Sequence, residues 1–385
     1  MAKIAMPVQS HTKTRATSKP APGLTEKKTP RSLDFRMPAE WEPHEATWLA
    51  WPHNPMDWPG KFSTIPWIYV EIVRLLAARE QVHLIVENVA MRWRVTGMLE
   101  RAGANLDRVS FHLWPTDRGW MRDSGPIFVR NAKGQVGLTN WKFNAWAKYE
   151  DWRLDDKIPG RVSKLLGCPQ WQPLVQNQEG TKYRLVLEGG SIDANGAGVL
   201  LTTEECLLSE VQQRNPGVSR ALLEKAFSDY LGVDQVIWLG RGVVGDDTHG
   251  HVDDIARFVG PVTIVAAVER DKNDANHELL AENLKILKAA RTPNGKQFTV
   301  VELPMPRPVI FRRQRLPASY ANFYIANGLV LVPTFHDPND RVALNALAKV
   351  FPDREVIGIH CVDLVWGLGT LHCMTQQQPA AMGPD

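Results

Sequence analysis

Apolar and polar positions change period repeatedly along this chain, and the changes come in a recurring order. "PWIYVEIVRLLAARE" (66–80) has helical spacing, and "QVHLIVEN" (81–88) is an apolar run of strand length. From "RDSGPIFV" onward the pattern predicts a strand, a turn at "NAKGQ", a strand "VGLTNWKF", a short helix over 157–167 and a strand "YRLVLE". That order is ββαβ. It recurs as the hairpin "GSIDANGAGVLLTTEE", turning at Asn195-Gly196, then the helix "SRALLEKAFSDYL" and the strand "QVIWLG". "HVDDIARFVGPVTIVAAV", "ANHELLAENLKILKAA" and "FTVVEL" repeat it. So do "YANFYIANGLVLVPTF", "RVALNALAKVF" and "EVIGI".

A fifth unit would open at "LHCMTQQ" near the C-terminus and be completed by the helix and strand at 66–88, closing the chain on itself. Closure removes exposed sheet edges. The expected fold is therefore α/β, a ring of five pseudo-symmetric ββαβ repeats. Equivalent repeat starts fall near Asp123, Glu188, His251, Tyr320 and Cys373, and in a closed ring they converge on the axis. The axis would hold carboxylates, an imidazole and a thiol.

Composition narrows the class. The 385 residues are 44% apolar, enough for a sizeable core. Cys168, Cys206, Cys361 and Cys373 share no CxxC spacing, which suits reduced thiols in a cytoplasmic enzyme. Residues 1–31 carry seven Lys/Arg against Glu26, show no periodicity and read as a disordered basic tail. With +3 overall and +6 in that tail, the remainder is −3 and offers no basic excess for nucleic acid. No apolar run is of membrane-spanning length, so residues 32–385 are expected to form one soluble catalytic domain.

The repeat starts suggest a chemistry. Cysteine becomes nucleophilic when its surroundings favour the thiolate, and His251 is the candidate base for Cys373. Asp246, Asp247, Asp253 and Asp254 surround that histidine in sequence and should raise its pKa. Carboxylates around a planar cation accept paired hydrogen bonds from guanidinium. Asp123, Glu188 and Asp253 are placed for that, and Trp120 for stacking on its face. Other readings stand beside this one. Cys373 fits a small core thiol, and Glu188 before Gly189-Gly190 fits a turn cap. His249, His251 and Asp253 fit a zinc site on one strand face. On a strand His372 would point away from Cys373, as supporting structure, and Trp41, Trp48, Trp51, Trp141 and Trp146 read as core or rim.

At these residues the chain resembles the agmatine deiminases of the bacterial and plant type, peptidyl-arginine deiminase-like members of the guanidino-modifying enzymes with the pentein fold. The resemblance runs through "MPAEWEPHEATWLAWP", "DRGWMRDSGP", "FNAWAKY", "EGGSI", "LLTTEECLL", "GHVDD", "RLPASYANFYIANG" and "HCMTQQQ", in that order, over about residues 35–379. It implies a five-bladed α/β propeller. It also implies hydrolysis of agmatine to N-carbamoylputrescine and ammonia, a step of putrescine and polyamine biosynthesis needing no metal or other cofactor. By motif, Cys373 is the implied nucleophile and His251 the general acid/base. Asp123 and Asp253 would hold the guanidinium, Glu188 would orient His251 or the cation, and Trp120 would wall the substrate. The implied partner is agmatine, with a homo-oligomer compatible. An arginine or peptidyl-arginine deiminase, or a non-catalytic guanidino-ligand binding protein, are the alternatives. Two departures stand out: Gly367, Leu368, Gly369 and Thr370 occupy a stretch that is Gly-Gly-Gly-Asn in many members, and Asp193 a position often histidine.

Overall fold

The computed structural model describes residues 23–24, 28–176 and 180–381. Five of its sheets share one plan. A first strand runs antiparallel to a second, a helix follows, and a third strand lies parallel to the second. Asp193–Ala194, Val199–Thr203 and Gln235–Leu239 follow it around helix Arg220–Leu231. Ala256–Gly260, Thr263–Val268 and Thr299–Pro304 follow it around Asn276–Ala289. Tyr324–Ala326, Leu329–Thr334 and Glu355–His360 follow it around Pro338–Val350. A parallel pair needs a crossover, and each helix supplies one while covering the sheet's apolar side.

Chain closure is seen directly. Thr375–Pro379 pairs antiparallel with His44–Ala50, which runs parallel to Gln81–Val86 across helix Ile65–Ala77. His44–Ala50 was not anticipated from the pattern, and Val109–Leu113 extends the same sheet. Trp48 within it is fully buried, and its indole N–H donates to Gln378 Oε1 at 2.9 Å, tying the two ends of the chain together.

Two expectations need correction. In the sheet of Ile127–Asn131 and Val136–Thr139, the third strand is Gln170–Trp171, and "YRLVLE" joins its second strand only beyond that point, through a parallel bridge of Val186 to Lys142. Lys182–Arg184 instead folds back antiparallel on Leu174–Gln176. Gln170–Trp171 comes directly after helix Ile158–Leu166, so the crossover is complete before Tyr183 is reached. The basic segment 1–31 is also not wholly without structure. Gly23–Leu24 pairs with Leu174–Gln176, and Arg31 binds Asp234 at 2.5 Å and the Val233 carbonyl at 2.9 Å. Residues 1–22 and 25–27 lie outside the described residues.

Candidate active site

Each of the five first strands is preceded by a tight turn, and the chemistry sits on these turns. Met121–Ser124, Gly189–Ser191, Val252–Asp254 and Leu371–Met374 are four of them. The remaining one, 319–322, is closed by the Ala321 N–H on Ser319 Oγ at 3.1 Å. Hydrogen bonds run from turn to turn. Gly190 N–H donates to Asp123 Oδ1 at 3.0 Å, His372 Nδ1 meets Asp253 Oδ2 at 2.7 Å, and Asn322 Nδ2 donates to Cys373 Sγ at 3.1 Å. Asp123, Glu188, His251, Asp253 and Cys373 are thus brought together, all buried.

This approach depends on glycine. A Cβ on Gly190 would lie 2.6 Å from His251 Nδ1, 2.9 Å from Asp123 Oδ1 and 3.1 Å from Asp253 Oδ2. Any side chain there would push the charged groups apart.

The imidazole of His251 lies between two acids, with Nδ1 3.8 Å from Asp123 Oδ1 and Nε2 3.8 Å from Glu188 Oε2. Burial disfavours its charge, but Asp123, with Cys206 and Glu188, holds its pKa well above the usual range. The direction matches the sequence expectation, although its cause is different. Asp246 instead accepts backbone N–H groups of Thr248, Gly250 and His251, and Asp247 accepts from Tyr149 Oη at 2.7 Å. Burial would raise Glu188 too, yet the Arg214 guanidinium, 3.0 Å away, and His251 hold it down to about 2. Asp123 is pushed up to about 6, chiefly by burial. Cys373 is raised well above the usual thiol range by burial and by Asp253, Asp254 and Asp123.

Cys373 and Asp123 open onto one cavity with Trp120, Trp146, Arg118, Asp57 and Asp247, about 480 Å³ including its mouth. Trp120 is one of the lining residues. Leu368 and Gly369 complete the lining beside the thiol. Leu368 takes φ +68°, the left-handed region that glycine occupies most readily. A Cβ on Gly369 would lie 3.2 Å from Cys373 Sγ.

Several residues differ from their sequence reading. His372 is on a helical turn, not a strand, and joins Asp253 to Glu40, with Nε2 2.8 Å from Glu40 Oε2. Trp146 is part of the site, its indole N–H donating to Asp123 Oδ2 at 2.8 Å. Asp193 is not among the residues lining the cavity and is paired with buried Arg257, whose Nη2 reaches Glu40 Oε2 at 2.6 Å. Glu40, Arg214, Arg257 and Asn322 were not singled out, because the partners that give them their place are far away in sequence.

The trio His249, His251 and Asp253 does not form a metal site. His249 takes φ +65° and its Nε2 faces Ser209 Oγ at 3.2 Å. Among the described residues, Glu188, Cys206 and His251 do bring donor atoms within 4.8 Å of one another. That set suits zinc in kind, but the Arg214 cation on Glu188 opposes a second positive charge there.

The profile of the Porphyromonas-type peptidyl-arginine deiminases matches residues 36–379. The chain belongs to this family. Agmatine deiminase from Ectopseudomonas mendocina is 35% identical over 380 residues, covering 92% of this chain and 98% of that protein. Among solved structures of the family, agmatine deiminase of Enterococcus faecalis superposes with a TM-score of 0.83 at 30% identity, over 94% of this chain and all (100%) of that one. A cysteine-to-serine variant of C. jejuni agmatine deiminase with substrate bound gives 0.78 at 28% identity, over 91% of this chain and 97% of that one. Among the described residues of this family member, no helix is long and apolar enough to cross a membrane.

Proposed function

We propose that this protein is an agmatine deiminase, releasing ammonia from agmatine and leaving N-carbamoylputrescine. The observation that carries the reading is the convergence of the Cys373 thiol and Asp123, which line one cavity, with Asp253 and a doubly flanked His251 buried directly behind them. Asp123 and Asp253 accept from the guanidinium nitrogens, and Trp120 covers the group. The bound cation favours loss of the thiol proton to solvent through the cavity mouth. The Cys373 thiolate then adds to the guanidinium carbon. His251, a cation at neutral pH, gives its proton to the departing nitrogen, the C–N bond breaks, and ammonia leaves. The S-linked thiouronium remains. Neutral His251 takes a proton from water, the hydroxide adds to the same carbon, and the C–S bond breaks to release the ureido product.

The cavity lining favours an ammonium tail over a carboxylate. Arg118 is its one cation and is already paired to Asp57 and Asp151, while Asp247 pairs with Lys148 and Asp123 carries no Lys or Arg partner among the described residues. Arginine would set its carboxylate in a lining whose one cation is already paired. We read residues 32–385 as one catalytic domain and the five sheets as blades of a pentein propeller. The shared strand order and the turn-to-turn bonds support this.

Ammonia release is to be measured from agmatine, arginine and a blocked peptidyl-arginine, with Cys373→Ser and a chelator alongside. Release from agmatine alone, abolished in the variant and indifferent to chelator, is expected. Release from arginine instead would keep the chemistry and overturn the substrate; none from any of the three would leave a binding protein.

A further inference from the structure

The repeat start that was placed at Tyr320 has a more telling occupant two residues on. The four other turns present Asp123, Gly190, Asp253 and Cys373 to the site, and the fifth presents Asn322, fully buried. Its carboxamide is saturated. Oδ1 accepts from Thr370 Oγ1 at 2.8 Å and from the N–H groups of His372 and Cys373 at 3.1 and 3.4 Å. Nδ2 donates to Asp254 Oδ1 at 3.0 Å and to Cys373 Sγ at 3.1 Å. Donors face one end and acceptors the other, so the partners fix the amide's orientation. The backbone is held as well, since the Asn322 carbonyl accepts from His372 N–H at 3.2 Å.

Around the sulfur three carboxylates oppose negative charge. Asp253 and Asp254 face it from one turn and Asp123 from another, and the Tyr69 hydroxyl lies near it from helix Ile65–Ala77. Asp253 Oδ2 is 3.7 Å from Sγ. Among the described residues, Asn322 Nδ2 is the one hydrogen-bond donor within reach of Sγ. A thiolate accepts such a bond more strongly than a thiol does.

We propose that Asn322 is a positioning residue that aims Cys373 Sγ into the cavity and donates the hydrogen bond its thiolate keeps. The inference rests on the reading of Cys373 as the nucleophile. It goes beyond that reading in assigning how a thiolate persists among three carboxylates.

The test is the rate of alkylation of Cys373 by iodoacetamide against pH, read by peptide mass spectrometry on the full chain so that Cys168, Cys206 and Cys361 are counted apart. Turnover is not needed. Asn322→Ser removes the donor, and Asn322→Asp keeps the shape while adding charge. Both are expected to move the profile to higher pH by about one unit, roughly a tenfold slower reaction at a fixed pH below the midpoint, with Asp the larger shift. An unshifted profile in folded variants with lowered kcat would make Asn322 merely structural and overturn the proposal. If neither variant folds, the wild-type protein decides. A 15N side-chain amide signal that moves as Cys373 titrates, and stays still in Cys373→Ala, supports the bond; no such signal overturns it. Ammonia release surviving in Cys373→Ser would bring down the nucleophile reading itself, an outcome the alkylation profile cannot mimic.

Discussion

At Asp123, burial and charge pull in opposite directions. Desolvation carries its pKa from 3.8 to about 6 even with His251 beside it. A guanidinium clamp needs the ionised form, so kcat/KM is expected to climb as pH rises through about 6, which a pH–rate profile on agmatine measures. Asp123→Asn should remove that ascending limb and lower kcat/KM by roughly 10–100-fold, the range of a lost charge-assisted hydrogen bond. A wild-type profile flat from about pH 5 to 7 would detach Asp123 from the clamp. Stability should move the other way. Between 3.8 and about 6 the folded state binds more protons than the unfolded, so this residue's contribution falls as pH rises across that window. Asp123→Asn should then melt higher than the wild type at pH 7, a gain in stability at the expense of function. At this scale the sequence was legible in the motif-borne residues. Asn322, Trp146 and Glu40 lie within the same motif strings but were not picked out, because an asparagine before an apolar strand or a tryptophan in an aromatic-rich stretch has many commoner uses.

The recurring element is the turn before each first strand, and its demands are steric. Gly190 is the clearest case, where a methyl group would meet His251, Asp123 and Asp253 at once. Gly190→Ala is expected to lower kcat by about 100-fold, the scale of a misplacement near 1 Å, while circular dichroism stays that of the wild type. Wild-type kcat in that variant would show that the turn has slack. Leu368 shows the opposite tolerance, a side chain held at φ +68° within the cavity wall. The helices and most strands were readable from period alone, since Arg220–Leu231 and Leu329–Thr334 are long enough to carry one. Gln170–Trp171, at two residues, is too short to show any alternation, and the longer apolar run "YRLVLE", which pairs in parallel only at Val186 with Lys142, was read in its place.

For the whole molecule the decisive contact is between its ends. Thr375–Pro379 covers the edge of His44–Ala50, Gln378 holds Trp48, and Gln377 accepts from Arg122 Nη1 at 2.7 Å. A chain stopped after Met374 keeps Cys373 but exposes that edge. Size-exclusion chromatography and thermal melts are expected to show aggregation or loss of a cooperative transition; a monodisperse, cooperatively melting truncation would mean that closure contributes little. The order of elements, the apolar faces and the motif residues were settled by the sequence alone, because hydrophobic period and turn chemistry are local properties. Which turns meet was decided by the tertiary structure. A pKa raised by burial, a histidine clasped by acids 128 and 63 positions upstream, and an amide bridging Asp254 to Cys373 arise only when distant segments exclude water together.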